Sequence, residues 1–243
     1  ERWRTDLGWV EQPVVADRTV YVNGGSELIA LETENGRERW RFEAADRVYT
    51  PTIDGWSVYV GSADNSLYGL AAESGRVRWR LETGGEVYSS PTVADGTVYV
   101  GSDDGNLYAL DTVSGTDRWR FSTGREVTAT PLAFEGTVAI ASEDLFAVDA
   151  ETGTERWRLE LDGLVDKFNS PRVVDGTIYV AGDAESRLHA VDADTGAERR
   201  RLETGDTVYG SPIVTDETVC VDTFDGTVCA IPREPDATGE GTE

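Results

Sequence analysis

A proline preceded by a small or polar residue recurs at Pro13, Pro51, Pro91, Pro131, Pro171 and Pro212. The spacings are 38, 40, 40, 40 and 41 residues. A second landmark keeps the same step. "LIALETENGRERW" ends at Trp40, "LYGLAAESGRVRW" at Trp79, "LYALDTVSGTDRW" at Trp119 and "LFAVDAETGTERW" at Trp157. In "LHAVDADTGAERR" an arginine, Arg200, stands where the tryptophan would be. A unit of about 40 residues repeated along a chain constrains the fold more than any single motif, because one unit cannot bury its apolar face alone.

Each copy divides into four short strand-like runs. In the third they are Glu86–Val93, Thr97–Gly101, Asn106–Asp111 and Asp117–Phe121. Asp95–Gly96, Asp103–Asp104–Gly105 and Ser114–Gly115 separate them. Asp-Gly between alternating runs signals a tight hairpin, since that turn needs positive φ. Four antiparallel strands per unit, six units and no helical period predict an all-β chain, a six-bladed β-propeller. The chain starts on a lone fourth strand, "ERWR" with Trp3, and its last copy stops after a third strand, Thr227–Ile231. The N-terminal strand is therefore expected to complete the last blade and close the ring, the alternative being a larger propeller cut at this phase. The expected domain is 1–231, with 232–243 a disordered acidic tail.

Particular columns carry more detailed expectations. Proline inside a strand costs a ladder hydrogen bond, so the proline-bearing run is placed innermost, as an edge facing the channel. The small residues Ala30, Gly69, Ala109, Ala147, Ala190 and Ala230 suggest close approach of the next blade's tryptophan. In Arg118–Trp119–Arg120–Phe121 the period of 2 puts both arginines on one face and both aromatics on the other. On an outermost strand such arginines discourage edge-to-edge aggregation.

Charge bounds the function classes. The chain has 46 Asp plus Glu against 22 Lys plus Arg, a net charge of −24. Lys167 is its single lysine. Such a chain repels itself in dilute salt, and at ~1 M salt the Debye length falls to about 3 Å. The balance reads as that of a halophile, with an acidic surface for a basic partner as the alternative. Nucleic-acid binding is disfavoured, because the sequence offers no basic patch to displace counterions. No apolar run approaches the ~18 residues of a membrane span. Methionine is absent, so Glu1 is not a translation start, and the chain is expected to be processed or cut.

The residues Ala109–Asp111–Gly115–Trp119 and Ala147–Asp149–Gly153–Trp157 follow an Ala-x-Asp-x-x-x-Gly-x-x-x-Trp pattern. This resembles the tryptophan-docking repeat of PQQ-like propellers, and Ser89–Asp111 is similar to that family throughout. The resemblance covers residues 1–231. It implies that Trp3, Trp40, Trp79, Trp119 and Trp157 staple neighbouring blades. The family includes calcium- and quinone-dependent dehydrogenases, BamB-like non-enzymatic scaffolds, and sensor modules. Six repeats are fewer than its better-known members have.

Candidate chemistry is sparse. The adjacent cysteine pair of similar quinoproteins is missing; only Cys220 and Cys229 occur, nine apart. They align with Tyr99 and Tyr108, columns expected to pair directly across two strands. A disulfide is expected, with two buried thiols as the alternative. A disulfide suits an exported protein, so an extracellular or cell-surface location is expected, the cytoplasm being the alternative. His189 falls in the column of Tyr68 and Tyr108 and reads as a packing residue. Asp103–Asp104 reads as a hairpin turn rather than a metal loop. Five residues before each proline stand Asp46, Glu86, Glu126 and Asp166, with Asp206 matching after one insertion. A carboxylate ring there would hold a divalent cation or a cationic segment; the alternative is the acid background of the chain. The expectation is a monomeric, non-enzymatic binding or scaffold module with a protein partner and neither PQQ nor Ca²⁺ as a required cofactor. The rival is a sensor or dehydrogenase-type propeller with quinone, or another small ligand, and a metal at the channel mouth.

Overall fold

The computed structural model describes residues 2–8, 10–11, 13–161, 170–182, 186–208 and 210–233. Every regular element among them is a strand. The strands form six separate antiparallel sheets in sequence order, five of four strands and a last one of three. We number these blades 1 to 6 and call their strands inner, second, third and outer. In blade 3 they are Thr92–Ala94, Thr97–Gly101, Asn106–Asp111 and Asp117–Ser122. Blade 6 has Ile213–Val214, Thr218–Asp222 and Val228–Pro232.

The alternation within each strand explains why these sheets stack. In blade 3, Tyr99, Ala109 and Trp119 are cross-strand partners, and the next row is Val100, Tyr108 and Arg120. Successive rows face opposite sides of the sheet. Val98, Val100, Tyr108 and Leu110 pack against Tyr59, Leu67 and Trp79 of blade 2. Tyr99, Leu107, Ala109 and Trp119 pack against Val138, Ile140, Phe146 and Val148 of blade 4. Both faces of the sheet are thus core. Each fully buried Leu or Val contributes about 1.5–3 kcal/mol. The third and outer strands shift register by one residue at Ala109/Leu110, and the same shift recurs in blades 1, 2, 4 and 5. A bulge at that place increases the local twist of each blade.

The Asp-Gly hairpins form as expected. Asp95 and Gly96 have φ of 47° and 71°, the pair of positive values that a tight two-residue turn requires. The inner strands are shorter than their sequence suggests, three residues rather than the eight of Glu86–Val93. The prolines lie one residue ahead of them, not inside them, so no ladder bond is lost. Neighbouring inner strands from blade 2 to blade 6 run side by side. Thr52 Oγ1 donates to the Pro91 carbonyl at 2.5 Å, and Thr92 Oγ1 to that of Pro131 at 2.6 Å.

The expected closure strand is not found. Residues 2–8 carry no strand, and blade 6 has no fourth strand among the described residues. Pro232 belongs to the third strand of blade 6, and Arg233 N–H donates to the Glu217 carbonyl at 2.8 Å, so the folded part runs past 231. The rest of the expected tail, 234–243, lies outside the described residues.

Candidate interaction surface

The Asp103–Asp104 turn is occupied by internal bonds. Asp104 Oδ2 accepts from the Gly84 N–H at 2.8 Å and from the Tyr108 hydroxyl. Its Oδ1 accepts from the Asn106 N–H and Nδ2, both at 3.0 Å. Burial alone would raise this carboxyl, but those donors hold it below the usual range. Burial, and then the bond to Asp104, push the Tyr108 phenol up to about 12. The loop ties a hairpin to the connector from blade 2.

The described members of the carboxylate column form no metal-holding group. Asp46 and Glu126 are exposed, and Glu86 and Asp206 are half-buried. Asp46 Oδ1 accepts from the Arg47 N–H at 2.7 Å, Asp206 Oδ1 from the Thr207 N–H at 2.6 Å, and Glu86 from the Tyr49 hydroxyl. Asp166 lies outside the described residues. Among the described residues no group of three or more His, Cys, Asp or Glu side chains is placed to hold a metal ion.

The cysteine expectation fails by one residue of register. Cys220 pairs with Ala230, and Cys229 with Val221. A one-residue slip moves a side chain to the other face, so the two sulfurs lie on opposite sides of blade 6 and both are free thiols. Cys229 faces blade 5, with its thiol on the Thr204 carbonyl at 3.2 Å. Cys220 faces away. His189 is 1% exposed, and its Nδ1 lies 2.6 Å from Glu198 Oε1. It fills the column of Tyr68 and Tyr108.

The tryptophans make one repeated contact. Trp40, Trp79, Trp119 and Trp157 lie against Gly75, Gly115, Gly153 and Gly196, each in the turn ahead of the next blade's outer strand. A Cβ on Gly115 would come within 2.4 Å of the Trp79 ring, and its φ is +68°, so glycine is required twice over. Each indole N–H also donates to a carbonyl of the next blade: Ala72, Thr112, Ala150 and Ala193, at 2.8 to 3.2 Å. The small residue opposite each tryptophan serves its own blade, not the next one. A Cβ on Gly69 would meet Trp79, its cross-strand partner, at 2.2 Å.

The arginines brace the same corner. Arg118 reaches Thr97 Oγ1 at 2.8 Å and Asp111 at 2.9 Å. Arg156 and Arg199 repeat this with Thr137 and Asp149, and with Thr177 and Asp192. Arg118 and Arg156 hold the Asp111 and Asp149 carboxyls well below their usual range. Thr195, and then Arg199, bring Asp192 to about 2.

Two places depart from the pattern. Trp3, in the N-terminal segment, lies against Gly36, and its indole N–H donates to the Thr33 carbonyl at 2.9 Å. It therefore sits on blade 1 as Trp40 sits on blade 2. At the other end, the outward face of blade 6 is uncovered. Leu107 is 0% exposed, whereas its equivalent Val228 is 73% exposed. Ile213 and Phe224 are 68% and 61% exposed. Sequence reasoning missed this face, because it assumed that "ERWR" would cover it. A separate groove of about 470 Å³ between blades 1 and 2 is lined by Tyr21, Arg37, Arg39, Trp56 and Glu73. Trp56 replaces a turn glycine found at Gly96 and Gly136 and is 79% exposed.

Comparison with known proteins places this geometry. The family model described as outer membrane protein assembly factor BamB matches residues 1–89, 51–146, 78–164 and 141–235. The crystal structure of BamB from Moraxella catarrhalis superposes with a TM-score of 0.77 at 20% identity, over 94% of this chain and 74% of that one. The computationally designed protein Ika8 superposes with a TM-score of 0.81 at 14% identity, over 95% and 73%. No curated protein matches the chain.

Proposed function

The chain belongs to the BamB family of PQQ-like propellers, and from that premise we propose that it is a non-enzymatic scaffold that binds extended protein segments. The observation that carries this reading is blade 6. Its third strand, Val228–Pro232, has an open outer edge among the described residues, beside an exposed apolar face. An open edge offers main-chain donors and acceptors to an incoming strand, and the face beside it selects alternate side chains. Blades 1 to 4 define the shape that fits: a strand with arginines on one face and Trp with Phe or Leu on the other. The family's name, an outer membrane assembly factor, supports a location outside the cytoplasm. Among the described residues no helix is long and apolar enough to cross a membrane.

The test is fluorescence anisotropy in concentrated KCl with a labelled peptide copying Asp117–Ser122. Saturable binding, lost with a scrambled peptide and weakened at least tenfold by Val228→Asp, supports strand acceptance. Equal binding of both peptides sinks it. The groove at Trp56 favours a second reading, small-ligand binding. Trp56 emission that responds saturably to a ligand and is absent in Trp56→Ala supports that one.

A further inference from the structure

We propose that the groove between blades 1 and 2 binds a neutral saccharide, which stacks on Trp56 and hydrogen-bonds to Arg39 and to the carboxylates of Asp17 and Glu73. This rests on the second reading above, small-ligand binding at that groove, and names the class of ligand.

The repeat supplies its own control. The same crevice recurs between blades 3 and 4, where Tyr99, Gly136 and Ala150 occupy the columns of Tyr21, Trp56 and Ala72. There it encloses about 200 Å³, against about 470 Å³ between blades 1 and 2. Only the larger space falls in the range of roughly 300–1,000 Å³ that small-ligand sites occupy. Three departures from the repeat meet in it.

The first is the turn of blade 2. In blades 3 and 4 both residues of the corresponding turn have positive φ, 47° and 71° at Asp95–Gly96 and 43° and 71° at Glu135–Gly136. In blade 2 only Gly55 does, at 51°. The second turn position is thereby open to a bulky side chain, and it holds Trp56 at 79% exposure. The second departure is Arg39. Its equivalents Arg118, Arg156 and Arg199 each hold a threonine and an aspartate. Arg39 holds Thr19 Oγ1 at 3.0 Å but no carboxylate among the described residues. Glu32, which stands in the aspartate column, is turned to Asn35 Nδ2 at 2.7 Å and to Arg37 at 3.4 Å. The third is Tyr21. The Tyr59 and Tyr99 hydroxyls donate to the carbonyls of Thr112 and Ala150 at 3.2 and 3.3 Å. Among the described residues Tyr21 makes no such bond to the Ala72 carbonyl, which takes the Trp40 indole N–H instead. Burial, the main influence on the Tyr21 phenol, raises it and keeps its proton in place to donate.

Charge selects the ligand class. The groove is lined by two guanidinium groups, Arg37 and Arg39, and by two carboxylates, Asp17 and Glu73. Neither carboxylate has a side-chain hydrogen bond or ion pair among the described residues. A site for an anion needs an excess of cationic groups, and a site for a cation the reverse; here the formal charges cancel. A ligand rich in hydroxyls uses both kinds, accepting from the guanidinium and donating to the carboxylates. The exposed indole supplies a flat apolar platform beside them. Ionic attraction is screened in ~1 M salt, where the Debye length is about 3 Å, whereas stacking and hydrogen bonds survive.

The test is a tryptophan-emission titration in concentrated KCl. The probes are neutral hexasaccharides of glucose, mannose, galactose and N-acetylglucosamine, with oligogalacturonate as an anion and choline as a cation. A saturable change with at least one neutral hexasaccharide is expected. It should vanish in Trp56→Gly, which restores the glycine of Gly96 and Gly136 at an exposed turn. Arg39→Gln should weaken it at least about tenfold, the loss expected for one hydrogen bond to a charged group. Affinity should stay within about twofold from ~0.5 M to ~3 M KCl, because no net charge is being paired. Equal urea midpoints for the variants and the parent show that the fold is kept. A response to oligogalacturonate or choline alone overturns the neutral saccharide but leaves the groove a small-ligand site. A response that persists in Trp56→Gly overturns the proposal, and no response to any probe removes the small-ligand reading with it.

Discussion

Blades 3 and 6 are two copies of one unit in opposite situations. In blade 3 both faces are core: Leu107, Tyr99 and Ala109 lie at 0 to 2% exposure against blade 4. In blade 6 the same columns hold Val228, Cys220 and Ala230, and only the face toward blade 5 is covered. The residues have weakened along with the packing. Leu has become Val, Tyr has become Cys, the turn aspartate Asp111 has become Pro232, and no tryptophan arrives from blade 5. Arg200 takes that place and reaches the Pro232 carbonyl at 3.1 Å through its guanidinium. The difference teaches that most of a blade's stability comes from its neighbours, since one sheet alone buries too little.

The strongest way to break this comparison is by matched truncation. Leu107→Ala is expected to cost about 2–5 kcal/mol, and Val228→Ala to stay within about 0.5 kcal/mol, as exposed positions do. Urea unfolding measures both, and equal losses would show that blade 6 is covered after all. Salt comes next. Screening of the net charge of −24 should raise the urea midpoint from ~0.1 M to ~1 M KCl. Amide protection should rise more in blade 6 than in blade 3, and an unchanged midpoint would end the halophile reading.

A smaller effect separates the blades in acid. Asp111, Asp149 and Asp192 are depressed in the folded state, Asp192 to about 2 from 3.8. A depressed carboxyl contributes stability above its unfolded value, and that stability is lost as pH falls toward the folded one. Hydrogen exchange should therefore show the turns at 111–116, 149–154 and 192–197 loosening below about pH 4. The end of blade 6, with Pro232 in that place, should not respond in this window. The smallest expected effect concerns the thiols. Under denaturing conditions both should titrate without prior reduction. In the folded protein Cys220 should be modified faster than Cys229, and equal rates would remove the asymmetry between the faces of blade 6.

Much of this was legible in the chain. The second and third strands of blade 3, Thr97–Gly101 and Asn106–Asp111, are read to the residue because turns and alternation bracket them. The inner strands were overestimated, because β-propensity extends across Tyr88–Ser90 while only Thr92–Ala94 finds a ladder. The tryptophans touch the neighbouring blade at its turn glycines, not at the small third-strand residue that the spacing suggests. The small third-strand residue makes room for its own blade's indole, and the turn glycine receives it from the blade before. Sequence spacing ranks both as small positions and cannot tell which one a side chain reaches. The cysteine pairing fails for a related reason: it needs a register correct to one residue.

Local chemistry alone determined the repeat, the four-strand unit, the turns and the acidic surface, because alternation, Asp-Gly turns and charge act over a few residues. The tertiary structure decided which residue receives each indole and which face each cysteine takes, because both depend on register and on packing between blades, which no single repeat records.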